Sequence, residues 1–231
     1  MSITVKLAKW ITNYDNQNSI GAKLRAKRIA PLLAMIEETY NEYGYVSIID
    51  IGGTETYWKI VPVQFLDKNN VTISIANLPQ NAMMSKDYGH YKFLEADGCD
   101  LSCFDDNTFH IAHSNSVVEH VGGWDRMVQF SKELSRVGQK YFVQTPNFWF
   151  PVEPHCMTPF FHWFPKPIRI WLVLHLKLGA WSRANSIDEA VRTVDSSRLL
   201  NRAMFQWLFK DACVSTEKLL WLPKSFIGIK K

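Results

Sequence analysis

The sequence predicts an α/β domain built on a mostly parallel sheet. Three observations carry this. Apolar runs of strand length alternate with helix-period segments from residue 45 to residue 145. No Pro/Gly/Ser linker, low-complexity tract or internal repeat divides the 231 residues, so a single domain is expected over 1–231. Two strand-like runs close the chain, which allows an antiparallel edge.

Each element has its own signal. Ile29, Leu32, Leu33, Ile36 and Tyr40 recur at three- and four-residue steps, predicting a helix over Leu24–Tyr43 that Gly44 ends. Tyr45–Ile51 reads as a buried strand. "TYWKIVPVQFL" reads as helical, interrupted near Pro62. "VTISIAN", "YKFLEAD" and "FHIAHSNS" read as three further strands. Trp124–Val137 reads as a helix with Met127, Phe130, Leu134 and Val137 on one face, and "KYFVQTPN" as a fifth strand. An aromatic, proline-rich stretch follows, Phe148 to Trp181. Helical runs are expected near Ser186–Val194 and Ser196–Asp211. "CVSTEKLLWLPKSFIGIKK" reads as two strands joined around Pro223-Lys224.

Composition narrows the class. Hydrophobic residues make up 47% and charged residues 21%, a globular balance. A net charge of +4 does not by itself argue for nucleic acid, and no nucleic-acid partner is expected. The four cysteines, Cys99, Cys103, Cys156 and Cys213, are too few for a disulfide scaffold in this length. With no apolar signal core near the first residues, they favour a reducing, cytoplasmic setting. "PIRIWLVLHLKLGAW" is too short and too interrupted to span a bilayer; it reads as a buried or dimer-forming helix, and no stable membrane insertion is expected.

"SIIDIGGTETYW" suggests where a ligand sits. A strand ends on Asp50 and hands over to Gly52 and Gly53, which permit close backbone approach. The pattern is not GxGxxG, because Thr56 or Tyr57 stands at the third glycine position. The ligand is therefore not expected to be a dinucleotide, and a nicotinamide oxidoreductase is disfavoured. A nucleoside-like ligand fits the later strand ends. Asn77 can bond a ribose diol through its oxygen, Asp97 can accept from an exocyclic amine, and Gly98 lets a flat base approach the backbone. Asp50, Asn77 and Asp97 follow one another by about one strand plus one helix, as alternating units require.

"IIDIGG", "ISIANLP", "EADGCDL", "HSNSVVEHV" and "YFVQTPN", in this order, resemble the successive strand-end motifs of class I S-adenosylmethionine-dependent methyltransferases, in particular those acting on small molecules. "LLWLPKSFIGIKK" resembles that fold's last hairpin. The likeness covers about 45–147 and 213–231. It implies a Rossmann-like three-layer sandwich, with a seven-stranded, mostly parallel sheet and an antiparallel C-terminal hairpin strand. It also implies an N-terminal helical cap over 1–44, an aromatic substrate cap over 148–212, and S-adenosylmethionine as cofactor. Asp50, Gly52 and Gly53 would lie against the methionine part. Asn77 would take the ribose position and Leu78 the adenine face. Asp97 and Gly98 would address the adenine edge, and Ser114, Asn115 and Ser116 would line the floor near the sulfonium. Asn77 stands where the family usually has an acid.

The expected reaction is methyl transfer to a small-molecule acceptor. The alternative on the same fold uses the aminocarboxypropyl arm and releases methylthioadenosine; a non-catalytic cofactor-binding regulator is less favoured. His155 and Glu153, just past the fifth strand, are the candidate catalytic pair: His155 as general base, Glu153 orienting it or touching substrate. Phe148, Trp149, Phe160, Phe161, Trp163 and Phe164 are read mainly as cap packing, with walling of a flat substrate as the other use. Arg25 or Arg28 could hold a substrate carboxylate. Cys99, Cys103, His110 and His113 fit no zinc spacing, and the two histidines fall on opposite faces of a strand, so no metal site is expected.

Overall fold

The computed structural model describes residues 20–79 and 87–231, with the side chains of the first helix described from Lys27 onward. Residues 1–19 of the expected N-terminal cap lie outside it, as does the side chain of Arg25.

Helix α1 (Ile20–Tyr43) leads into β1 (Val46–Ile51), through a turn where Gly44 adopts φ 76°. Two short helices follow, α2 (Glu55–Trp58) and α3 (Val63–Lys68), with Pro62 capping the second. Then come β2 (Val71–Asn77), β3 (Tyr91–Glu95), β4 (Phe109–Asn115), α4 (Trp124–Val137) and β5 (Gly138–Pro146). Helices α5 (Lys166–His175), α6 (Ile187–Asp195) and α7 (Arg202–Leu208) precede the hairpin β6 (Cys213–Leu219) and β7 (Leu222–Lys230).

The seven strands lie in the order β3-β2-β1-β4-β5-β7-β6. The first five run parallel, and β7 is antiparallel to both β5 and β6. The order reverses between β1 and β4, where open α/β sheets bind ligands. One face of the sheet packs Ile29, Leu32, Ile36, Trp58 and Leu66 against Ile48, Ile73 and Phe142. The other packs Met127, Phe130, Leu134 and Phe205 against Ile49, Ala112 and Tyr141. This is the expected three-layer sandwich. A third, smaller core joins Phe161, Val173, Ala190 and Val194 within the region expected as the cap.

Several boundaries differ from the sequence reading, the first helix starting at Ile20 rather than Leu24 among them. The last helix begins at Arg202, not Ser196, because Asn201 caps it by accepting from the Met204 amide and Leu200 bridges to Asn147. The terminal hairpin turns at Leu220-Trp221, with Leu220 at φ 57°. Pro223 lies inside β7, opposite Lys218, beside a register shift between Glu217 and Lys218 that relieves the ladder of its missing donor.

Arg28 of α1 does not face an open ligand site. Its guanidinium holds Glu217 of β6 through bonds of 2.9–3.0 Å. Burial pushes the Glu217 carboxyl up, but Arg28 and Lys224 outweigh it and hold it below its ordinary value. A depressed folded-state pKa adds stability that is complete above the unfolded value and lost as pH falls through the folded one. Glu217→Gln should therefore lower the melting temperature at pH 7. Its deficit against wild type should shrink below pH ~4.3, the ordinary glutamate value. A deficit constant from pH 7 to 3 would mean that the ionised pair contributes nothing.

Candidate functional site

At the switch point the carboxyl ends of β1, β2 and β4 border a cleft of about 320 Å³. Gly52, Asn77, Leu78, Asp97, Gly98 and Ser116 line it, six of the ten residues expected to bind cofactor. A larger groove, about 560 Å³, lies among Asp100, Asp105, Asp106 and Arg136. It contains none of those ten residues, and Arg136 there is already paired with Asp106 and Glu133.

Asp50 lies behind the cleft, not in it. It is fully buried. Its Oδ1 lies 2.6 Å from His113 Nδ1, and its Oδ2 accepts from Trp58 Nε1 at 2.7 Å. Register explains the pairing: Asp50 of β1 stands beside His113 of β4, so their side chains share a face. Tyr57 completes the group, its hydroxyl 3.2 Å from His113 Nε2. Local packing also requires both glycines. A β-carbon on Gly53 would fall 1.7 Å from Asp50 Oδ2. Gly52 has φ 73°, and a β-carbon there would lie 2.6 Å from Val117, while its amide donates to Ala76 O at 2.8 Å.

The other expected residues divide similarly. Asn77 donates through Nδ2 to Gly53 O at 2.9 Å, which pins the turn and leaves Oδ1 as an acceptor. Asp97 is held by Arg126 at 2.7 and 3.0 Å and by the Cys99 amide at 2.9 Å. Burial pushes its carboxyl up, but these bonds outweigh it and hold it below the usual range. Ser114 is buried and donates to Ile51 O. Asn115 accepts from Arg28 at 3.4 Å. Ser116, at φ 57°, donates to Gln144 and borders the cleft.

On the cap side, Glu153 and His155 are hydrogen-bonded to each other. Glu153 Oε1 lies 2.6 Å from His155 Nδ1, and its Oε2 accepts from the amides of His155 and Cys156. Burial pushes the Glu153 carboxyl up, but the His155 and Cys156 bonds bring it below the ordinary value; burial lowers His155, and Glu153 more than restores it.

The far nitrogen of His155 meets another histidine. His155 Nε2 lies 2.9 Å from His120 Nε2, and His120 Nδ1 lies 2.7 Å from Ser196 O. His120 is exposed and lines the cleft. Glu119 beside it is fully buried; its Oε2 accepts from Thr145, its Oε1 has no partner, and burial pushes its carboxyl up to about 7. Glu119 and His120 lie in "HSNSVVEHV", a stretch read only as a fold motif. Its Glu-His pair was the signal that could have singled them out.

Behind Glu153 the cap holds a cavity of about 360 Å³, lined among others by Phe148, Glu153, Phe161, His162, Arg169 and Arg198. Arg169 Nε and His162 Nδ1 are buried there without partners. The cap aromatics pack on one another, Phe148 on Trp149 and Phe160 on Trp163, while remaining partly open to solvent. Phe161 is buried, but Trp149, Phe160, Trp163 and Phe164 are 41–60% exposed.

No family model matches the chain. Two uncharacterized proteins of Mycobacterium tuberculosis, from two strains, are 27% identical to it over 124 residues, covering 47% of this chain and 42% of each of theirs. The match therefore spans less than half the length of those relatives. Among solved structures, an O-methyltransferase family protein from Burkholderia thailandensis covers 91% of this chain and 58% of its own, at 14% identity and a TM-score of 0.48. A SAM dependent methyltransferase from Archaeoglobus fulgidus covers 85% and 93%, at 9% identity and a TM-score of 0.49. The strand order and the reversed β7 settle the architecture by themselves. The fold is the expected Rossmann-like seven-stranded sheet with an antiparallel C-terminal hairpin strand. No helix among the described residues is long and apolar enough to cross a membrane.

Proposed function

We propose that the chain binds S-adenosylmethionine in the switch-point cleft and directs its methyl group to a small-molecule acceptor held by the cap. One observation carries the reading: six strand-end residues expected for this cofactor line one cleft, at the point where the strand order reverses. The cleft's volume is at the lower end of the range for ligand sites.

The residues present fit the cofactor. Asn77 Oδ1 is free to accept from a ribose hydroxyl, since its amide protons serve Gly53. Leu78, Val121 and Phe130 offer apolar surface to an adenine, and Asp97 retains acceptor capacity beyond Arg126 and Cys99. Asp50 and Ser114 act indirectly, by holding the turn that Gly52 and Gly53 form. When bound, S-adenosylmethionine supplies an electrophilic methyl carbon on a sulfonium. The protein's part is to align the acceptor lone pair with that carbon and exclude water.

The catalytic pair takes a modified role in this reading. Both ring nitrogens of His155 are engaged, and so are both of His120, so neither imidazole stands free as a base in this arrangement; His120 borders the cleft, with His155 and Glu153 holding it there. The cap cavity suits an acceptor with a flat or apolar body against Phe148 and Phe161. An anionic group on that acceptor would meet Arg169 and Arg198.

Purified protein tests this directly. S-adenosylmethionine or S-adenosylhomocysteine should raise the melting temperature, while NAD should not. Incubation with S-adenosylmethionine and small-molecule extracts should yield S-adenosylhomocysteine by mass spectrometry. Stabilisation by NAD alone would sink the cofactor. Methylthioadenosine formed faster than its spontaneous release would replace methyl transfer with use of the other arm.

A further inference from the structure

We infer that Glu119, His120 and His155 form a binding site for one divalent transition-metal ion of the zinc type. This rests on the three side chains and stands whether or not the methyl-transfer reading holds. It reverses the sequence expectation of no metal, which considered Cys99, Cys103, His110 and His113.

The ligand atoms converge. One atom each from Glu119, His120 and His155 lie within 4.8 Å of one another. Two histidines and one glutamate are a donor set that zinc uses in open, three-ligand sites. Each imidazole is anchored through its other nitrogen, as metal-bound histidines are. His155 Nδ1 is at 2.6 Å from a Glu153 carboxylate oxygen and His120 Nδ1 at 2.7 Å from Ser196 O. Both anchors fix the neutral tautomer whose lone pair sits on Nε2, and both Nε2 atoms point at the same place.

Proton counting shows what is missing between them. Bonds to Glu153, to Ser196 and between the two Nε2 atoms require three ring N–H groups. Two neutral imidazoles have two. A positive charge between the rings removes the deficit, either as a third proton on one imidazole or as a metal ion; with the ion, each ring keeps one N–H for its anchor and both lone pairs bind it. Tetrahedral zinc places two nitrogens about 3.3 Å apart, given bond lengths of about 2.0–2.1 Å. The observed 2.9 Å needs only a small ring rotation to reach this.

Glu119 supplies the independent observation. Its side chain is fully buried, with Oε2 held by Thr145 and Oε1 without a partner. A buried carboxylate oxygen left unbonded is costly. A metal beside two imidazoles gives it a partner and compensates its charge. Imidazole donors select zinc, cobalt or nickel over magnesium, which prefers oxygen. His120 borders the cleft and Glu153 lines the cap cavity, so the ion would sit between the two spaces with a coordination position left for a small-molecule oxygen or nitrogen.

The test uses the whole chain, stripped with a chelator and titrated with zinc chloride by calorimetry. Metal content is then measured after gel filtration. One zinc per chain, a raised melting temperature and no comparable response to magnesium are expected. Cobalt(II) should give visible absorption. His120→Ala, at an exposed position, and the near-isosteric Glu119→Gln should each weaken zinc binding by at least ~10-fold and remove the cobalt signal. Cys103→Ser with Cys213→Ser, which removes the two exposed thiols, should leave both readouts unchanged. No retained zinc in wild type would overturn the proposal, as would wild-type affinity in both ligand variants. Loss of binding in the cysteine variant would move the metal elsewhere and overturn it equally.

Discussion

Asp50→Ala should cost about 2–6 kcal/mol of folding stability, because it strips the acceptor from two buried donors at about 1–3 kcal/mol each. The truncation leaves the Trp58 indole N–H and the His113 ring N–H without an acceptor at 0% exposure. It also opens a void under Gly53, whose backbone closely approaches the carboxylate. Against a total stability of about 5–15 kcal/mol for an ordinary domain, the variant should be marginal. Asp50→Asn keeps the shape and one acceptor, so its loss should be smaller. Urea denaturation reads both. The pair of variants also separates two roles. If Asp50 frames the turn, cofactor affinity in folded Asp50→Asn should follow the stability loss. If the carboxylate contacts the ligand, affinity should collapse while stability holds. An Ala variant within about 1 kcal/mol of wild type would remove Asp50 from the frame.

Asp50 also shows which parts of the site could be read along the chain. That a strand ends there, and that a ligand-bearing turn follows, is local information. Apolar periodicity sets the strand, and two glycines set the turn. The same logic placed Asn77 and Asp97 at the ends of their strands and Trp124–Val137 as a helix, without error at either end. What periodicity does not contain is the partner across the sheet. The contact of His113 with Asp50 depends on β1–β4 register, fixed only when the sheet assembles. Glu153 and His155 were legible because they are two residues apart. His120 was not, because it reaches His155 across a contact between the exit of β4 and the cap, 35 residues apart in the chain. Arg28 was misjudged for the same reason: its partner Glu217 lies at the far end of the chain.

Asn77→Asp should weaken S-adenosylhomocysteine binding, although it introduces the acid usual at this position in the family that the sequence resembles. An acid at a strand end helps a ribose because a carboxylate accepts from both hydroxyls. In this chain the residue does a second task. Asn77 Nδ2 donates to Gly53 O at 2.9 Å, tying the end of β2 to the glycine turn. A carboxylate cannot donate, so Gly53 O loses its partner and meets a charged oxygen instead. Leaving such a group unpaired costs about 1–3 kcal/mol, or roughly 5- to 150-fold in affinity if the turn must be in place to bind. The gain at the ribose, a hydrogen bond to a charged acceptor, is worth at most about the same. The turn should decide the sign, because Gly52 and Gly53 are closely confined by Val117 and Asp50. Calorimetric titration of wild type, Asn77→Asp and Asn77→Leu with S-adenosylhomocysteine separates the effects. Asp and Leu should both bind more weakly than Asn, since both lose the donor. Tighter binding by Asp than by Asn would show that the ribose contact dominates and that the bond to Gly53 is incidental to the ligand.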